Sequence, residues 1–196
     1  MTANHYFEQQ ALAYDAHRNR GFLGWLRKSE TRAVLSFLRP QQGERILDAG
    51  CGEGHYALLA KRAGASAFGV DVSPAMITRL QTRGIPGKAT SLEKLHLPQR
   101  FDKIVCAGVL EFTQNPGLAL QRLAQHLKPR GKLIILYSRP SLGTFTYVLL
   151  HKLLHHISLH IIPYRRLQTL LNAADMTLVR HRVLPFFGGI ALAERK

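Results

Sequence analysis

The stretch Arg45-Ile-Leu-Asp-Ala-Gly-Cys-Gly-Glu-Gly-His-Tyr56 runs an apolar strand straight into a turn crowded with glycine and then into a helix-forming segment. Gly50, Gly52 and Gly54 let the backbone bend sharply and let a ligand lie against the main chain where a Cβ would otherwise stand. A helix predicted over His55 to Arg62 then points its first unpaired N–H groups at that place. Ligands of open α/β sheets bind outside the carboxyl ends of the strands, which is where this turn falls. The next apolar run, Ala65 to Asp71, ends on a carboxylate about twenty residues downstream, the usual place for an acid that binds ribose hydroxyls.

Three nucleotide ligands can be weighed against these residues. A dinucleotide fingerprint, G-x-G-x-x-G, needs a third glycine at position 55, and His55 stands there. A phosphate-binding P-loop needs Gly-Lys-Ser/Thr after the turn, and none follows. Asp48, just before the turn, would repel a pyrophosphate but attract an ammonium group. A nucleoside carrying a cationic amino-acid end meets all three conditions, and S-adenosylmethionine is that ligand. Asp48, Ala49, Gly50, Cys51, Gly52 and Gly54 are then expected at its methionine end, with Asp71 and Val72 at the ribose.

Leu47-Asp-Ala-Gly-Cys-Gly-Glu-Gly54 resembles the L-D-x-G-x-G-x-G signature of class I S-adenosylmethionine-dependent methyltransferases, and the resemblance runs over nearly the whole chain. Phe7-x-x-x-Ala11-x-x-Tyr14-Asp15 resembles the lead-in of the subgroup containing ubiquinone and menaquinone C-methyltransferases. Val70-Asp-Val-Ser-Pro-Ala-Met76 is similar to its second motif, Phe101-Asp-Lys-Ile-Val105 to its fourth strand, and Leu127-Lys-Pro-Arg-Gly-Lys-Leu133 to the turn into its fifth. The resemblance implies a Rossmann-like α/β fold with a seven-stranded, mostly parallel sheet, helices on both faces and an antiparallel C-terminal hairpin. It also implies that Met76, Ser91 and Leu92 lie at the adenine, that Ala107 lies beside the cofactor, and that Tyr14 covers the methionine end. The subgroup commonly carries Asp where Ser91 stands, so the adenine contact here loses a charge.

The chain of 196 residues is expected to form a single domain, 1–196, large enough to bury about 70% of its unfolded surface without disulfides. Within it, 1–40 would form a helical cover and 143–166 a helical lid between strands five and six. Cys51 and Cys106 sit in apolar strand-end contexts outside any paired spacing, which fits a reducing, cytoplasmic compartment. No uninterrupted apolar run reaches the ~18 residues of a membrane span, and the N-terminal residues lack the apolar core of a signal peptide. A formal charge of +15, from 27 Lys and Arg against 12 Asp and Glu, favours an anionic partner without choosing which one.

Periodicity predicts helices over Phe7–Tyr14, Leu23–Leu38, Pro74–Thr82, Pro116–Leu127 and Arg166–Ala174. Strands are predicted near Lys88–Thr90, Lys103–Ala107, Leu133–Tyr137, Thr177–Val183 and Ile190–Glu194, with Phe186-Phe187-Gly188-Gly189 as the last turn. Gly143 to Ile162 reads as a greasy, basic helical insert carrying Lys152, His151, His155, His156 and His160. The histidines are one turn apart, but no Cys or carboxylate completes a set, so no metal is expected.

These features together lead to transfer of a methyl group to a small or lipophilic, acidic acceptor, with peripheral contact to an anionic membrane through the lid. Glu111, Tyr137 and Tyr14 are the candidates for catalysis, along with a lid histidine. RNA or protein methylation is the alternative that the charge favours, although no Asn-Pro-Pro-Tyr-like motif follows the fourth strand. A partner subunit that only binds the cofactor is a third reading, opposed by the intact Asp48, glycine turn and Asp71. Oligomeric state is not encoded in any motif.

Overall fold

The computed structural model describes residues 21–141, 144, 161–185 and 188–196. Phe7 to Asp15 with Tyr14, the insert from Tyr147 to His160 with its four histidines and Lys152, and Phe186-Phe187 lie outside the described residues.

Seven strands form one sheet: β1 Arg45–Ala49, β2 Ser66–Asp71, β3 Gly87–Ala89, β4 Phe101–Ala107, β5 Leu127–Ser138, β6 Met176–Val183 and β7 Gly188–Arg195. Their order across the sheet is β3-β2-β1-β4-β5-β7-β6. β1 pairs in parallel with both β2 and β4, and β7 runs antiparallel between β5 and β6. The antiparallel C-terminal pair thus extends a parallel doubly wound sheet, as the sequence led us to expect.

Alternation along the central strands sends side chains to opposite faces. Leu47, Ile104, Cys106, Leu133 and Ile135 build one core with α4 (Pro116–Gln125) and α5 (Tyr164–Ala173). Ile46, Val105, Ile134 and Leu136 build the other with α1 (Gly21–Leu38), α2 (His55–Arg62) and α3 (Pro74–Thr82). Because both faces are covered, β1 and β4 read as continuous apolar runs rather than alternating ones. The helix starts are set locally. Ser73 Oγ accepts from Met76 N–H with Pro74 in the first turn, and Asn115 Oδ1 accepts from Leu118 N–H with Pro116 in the first turn.

Two boundaries differ from expectation. The run Leu127 to Lys132, read as helix end and turn, belongs to β5. Leu127 pairs with Phe101 and Lys132 with Lys103, so β5 takes a long bulge there, with Arg130 at φ 59. Gly188 and Gly189, read as turn residues, belong to β7, because the Tyr137 ring of β5 lies against Gly189. A Cβ at that position would stand 2.8 Å from the Tyr137 ring.

Leu80 of α3 is fully buried under the ligand-facing end of the sheet. Its methyl carbons occupy the space that Cβ atoms on Gly54, Gly69 and Gly87 would need, at 2.1, 2.4 and 2.7 Å. Leu80→Ala should therefore leave a cavity beneath the turn and lower stability by about 2–5 kcal/mol. The expected signature is a lower urea midpoint at an unchanged m-value.

Candidate functional site

The β1–α2 turn is built from backbone geometry that side chains resist. Gly50 and Gly54 sit at φ 71 and φ 84, and Gly50 and Cys51 both donate their N–H groups to Val70 O of β2. Gly54 is the N-cap of α2 and has no side chain with which to cap it. Asp48 supplies that cap from β1, its Oδ2 accepting from Ala57 N–H at 2.9 Å. Asp71, at the end of β2, takes Gly52 N–H on Oδ2 at 2.8 Å and Ser73 N–H on Oδ1 at 2.9 Å. Glu53 fixes the outer edge of the turn. Its carboxylate pairs with Arg79 and Arg83, and its carbonyl accepts from Arg83.

Beside this turn lies a cavity of about 1500 Å³. Gly50, Cys51, Gly52, Asp71, Val72, Met76, Ser91, Leu92 and Ala107, all expected at the cofactor, line it. Asp48, Ala49 and Gly54 do not. Asp48 is 2% exposed and faces the start of α2, where it holds the turn through Ala57 N–H. Burial raises its pKa to about 7, the nearby Asp71 adds to the rise, and the amides of Ala57 and Tyr56 oppose it. Burial also raises the Asp71 pKa, against the amides of Ser73, Gly52 and Val72.

The lining fits S-adenosylmethionine. Asp71 offers a carboxylate already oriented by two amides for a ribose diol, and Met76, Val72 and Leu92 give an apolar setting for a purine with Ser91 as its polar neighbour. A single small-molecule site occupies about 300–1,000 Å³, so the space exceeds what one ligand needs.

The rest of the wall is where reading the sequence fell short. Helix α1 contributes Gly24, Arg27, Lys28 and Thr31, while the first turn of α2 contributes His55 and Tyr56. Thr31 Oγ1 and His55 Nε2 are 3.1 Å apart, joining the two helices across the cavity wall. Burial, Arg27 and Arg83 hold the His55 pKa below its ordinary value. The basic pair Arg27-Lys28 breaking the apolar face of α1 was the available signal for this wall. His55 gave only a negative signal, the missing third glycine.

Neither described candidate for catalysis reaches the cavity lining. Glu111 is 5% exposed; its Oε1 accepts from Ser138 N–H at 2.8 Å, and burial raises its pKa. Tyr137 OH lies 3.0 Å from His181 Nε2, and burial pushes its pKa up to about 12. Side-chain alternation on β5 points Tyr137 to the α4–α5 face, while its neighbour Leu136 lines the cavity. Among the described residues no group of three His, Cys, Asp or Glu side chains could hold a metal ion.

The sheet order, the glycine turn and the carboxylate at the end of β2 define a class I S-adenosylmethionine-dependent methyltransferase fold. The chain belongs to the methyltransferase domain family, whose model matches residues 16–195. A ubiquinone biosynthesis O-methyltransferase of Paracidovorax citrulli is 34% identical over 118 residues, covering 56% of this chain and 46% of that protein. Further relatives, 30% to 35% identical, carry the same name. The chain spans about half the length of these curated relatives. Among solved structures, magnesium protoporphyrin IX methyltransferase of Synechocystis PCC 6803 with bound S-adenosylhomocysteine superposes with a TM-score of 0.79 at 18% identity, covering 98% of this chain and 97% of that one. The N-methyltransferase NodS of Bradyrhizobium japonicum gives 0.75 at 18% identity, covering 100% and 99%.

Two measurements test this site. Asp71→Ala removes the diol partner and the acceptor of two turn amides, and should weaken S-adenosylmethionine binding by about 3 kcal/mol, roughly a hundredfold, in calorimetry. Asp48 is raised from 3.8 to about 7 in the folded chain, so between those values the folded state binds more protons than the unfolded one. Its contribution to stability is present at low pH and is lost as pH rises through that window. Asp48→Asn keeps an acceptor for Ala57 without the charge, and should gain stability relative to the parent between pH 5 and pH 8 on the order of the shift itself, read from urea midpoints.

Proposed function

We propose that the chain transfers the methyl group of S-adenosylmethionine to a hydroxyl of a lipophilic, acidic small molecule. The observation that carries this reading is the composition of the cavity beyond the glycine turn. Arg27, Lys28 and Arg32 of α1 share its lining with Val109, Phe112, Leu118 and Leu136, and the acids Glu30 and Glu93 lie there too. A lining that combines apolar side chains with these three cations suits a greasy acceptor bearing a negative charge. The O-methyltransferase relatives support a hydroxyl as the attacked group.

The bound cofactor supplies an activated methyl group, and the chain's task is alignment. The turn held by Asp48, Asp71 and Glu53 would fix the methionine end, and Asp71 the ribose. Helix α1 would close the acceptor against them. Orientation of this kind contributes roughly 7–11 kcal/mol to lowering a barrier. A hydroxyl also has to lose its proton, which calls for a positioned acceptor of that proton.

We further propose a cytoplasmic protein that touches anionic membrane peripherally. Among the described residues no helix is long and apolar enough to cross a membrane. Supporting surface contact, α5 opens on exposed Tyr164, Arg165 and Arg166. The edge strand β6 exposes Val179 and Val183, while its Arg180 and Arg182 lie over the Phe37 ring of α1, and neither α5 nor β6 contains an acid. Aliphatic groups among cations suit a lipid surface.

Incubation with methyl-labelled S-adenosylmethionine and an alkyl-chain dihydroxybenzoate should label the probe. Lys28→Gln with Arg32→Gln should raise KM for that acid about tenfold and leave an uncharged alkyl catechol unaffected. Label entering bulk tRNA and no hydroxyl probe would replace this reading with RNA methylation. Label entering nothing despite cofactor binding would favour a non-catalytic subunit. The chain should sediment with phosphatidylglycerol vesicles but not phosphatidylcholine vesicles, and Arg165→Gln with Arg166→Gln should abolish that.

A further inference from the structure

We propose that His55 accepts the proton of the acceptor's hydroxyl, an inference that rests on the methyl-transfer reading above. His55 is the first residue of α2 and follows Gly54 directly, so its ring borders the cavity next to the turn that would hold the methionine end. A base for this reaction has to stand at that boundary, within hydrogen-bond reach of an oxygen aligned with the methyl group.

The other titratable groups of the described wall are already engaged or poorly suited. Glu53 is paired with Arg79 and Arg83, and Asp71 accepts two turn amides. Glu93, near the start of α4, accepts from the N–H groups of Gln114 and Asn115. Burial raises the Tyr56 hydroxyl pKa beyond any useful range. An ordinary carboxylate is a far weaker base than an imidazole.

The surroundings of His55 suit the task. Arg27 and Thr31 of α1, Arg83 just past α3 and Tyr56 of its own helix surround the ring, with Glu30 beside Thr31 in sequence. Burial and the two arginines favour the neutral imidazole, the form that can take a proton. The same cations favour an oxyanion forming beside it. Thr31 Oγ1 fixes the ring: when it accepts from Nε2–H, the lone pair on Nδ1 is the one left to act. The hydroxyl proton passes to Nδ1, and the oxygen's electron pair forms the new bond to the methyl carbon. The carbon–sulfur bond breaks with its electrons kept on sulfur, and the imidazolium afterwards returns its proton to water.

The bland role for His55 is to pin α1 to α2 through Thr31, and His55→Gln separates the two, because its amide can still bond Thr31 but cannot take a proton. With the full chain, labelled S-adenosylmethionine and the alkyl-chain dihydroxybenzoate, the parent should lose kcat/KM with unit slope below neutral pH. That limb should coincide with the His55 titration followed by NMR. His55→Gln should abolish the limb and lower kcat about a hundredfold or more, with cofactor affinity by calorimetry within about threefold. A fluorinated probe already ionised at the assay pH should recover most of the loss. An unchanged limb, a loss of activity under threefold, or no recovery with the ionised probe overturns the role of His55 while the methyltransferase reading stands. A parent that binds cofactor yet labels no hydroxyl probe overturns both.

Discussion

Two carboxylates from neighbouring strands hold the glycine turn, and the site depends on their grip. Asp48 takes Ala57 N–H and so caps α2 in place of a glycine that cannot; Asp71 takes Gly52 N–H and Ser73 N–H and so ties the turn to the start of α3. Each satisfies donors that a helix start or sharp turn would otherwise leave unpaired. The cost is two acids in a poorly solvated place: burial raises the pKa of both, and the charge of Asp71 adds to the rise at Asp48. A ligand with a positive charge at its methionine end would relieve that crowding.

Around the turn, the sheet and its covers divide the work. β1 and β4 end with Ala49 opposite Cys106, which brings Gly50 and Ala107 to the carboxyl edge, where a parallel sheet leaves a crevice. Leu80 supports the turn from below, and Val109 closes over Gly50 from the β4 side, where a Cβ would meet its methyl groups. Helix α1, coming before the first strand in sequence, packs Ala33, Val34, Phe37 and Leu38 into the same core as α2 and α3. That packing carries Arg27 and Thr31 to the cavity wall, so the polar residues of α1 face ligand space because its apolar stripe faces the core.

The charge of the chain acquires locations in the folded structure. Some cations are structural: Arg79 and Arg83 hold Glu53, and Lys103 pairs with Glu44 beneath the sheet. Others line the cavity on α1, and a third group lies on the exposed edge formed by β6 and the start of α5. The composition alone pointed to an anionic partner. The folded chain places one group of cations on the cavity wall and another on the exposed edge.

Much of the fold was legible because it is local. The glycine spacing, the Ser73-Pro74 start, the apolar runs of β1 and β4 and the acid at Asp71 each follow from residues within one turn or strand, and they pointed to residues between Gly50 and Ala107 that line the cavity. Long-range packing decided the rest. The bulge in β5 and the extension of β7 through Gly189 depend on partner strands. The position of Asp48, Glu111 and Tyr137 outside the described cavity lining depends on which backbone amides and faces they meet in three dimensions. The placing of His55 against Thr31 depends on α1 packing against β4, β5 and β7, which brings Thr31 within reach of the first residue of α2. The sequence by itself determined a nucleotide cradle of the S-adenosylmethionine kind. Only the tertiary structure decided which side chains face it, because burial and facing are set by contacts between segments far apart in the chain.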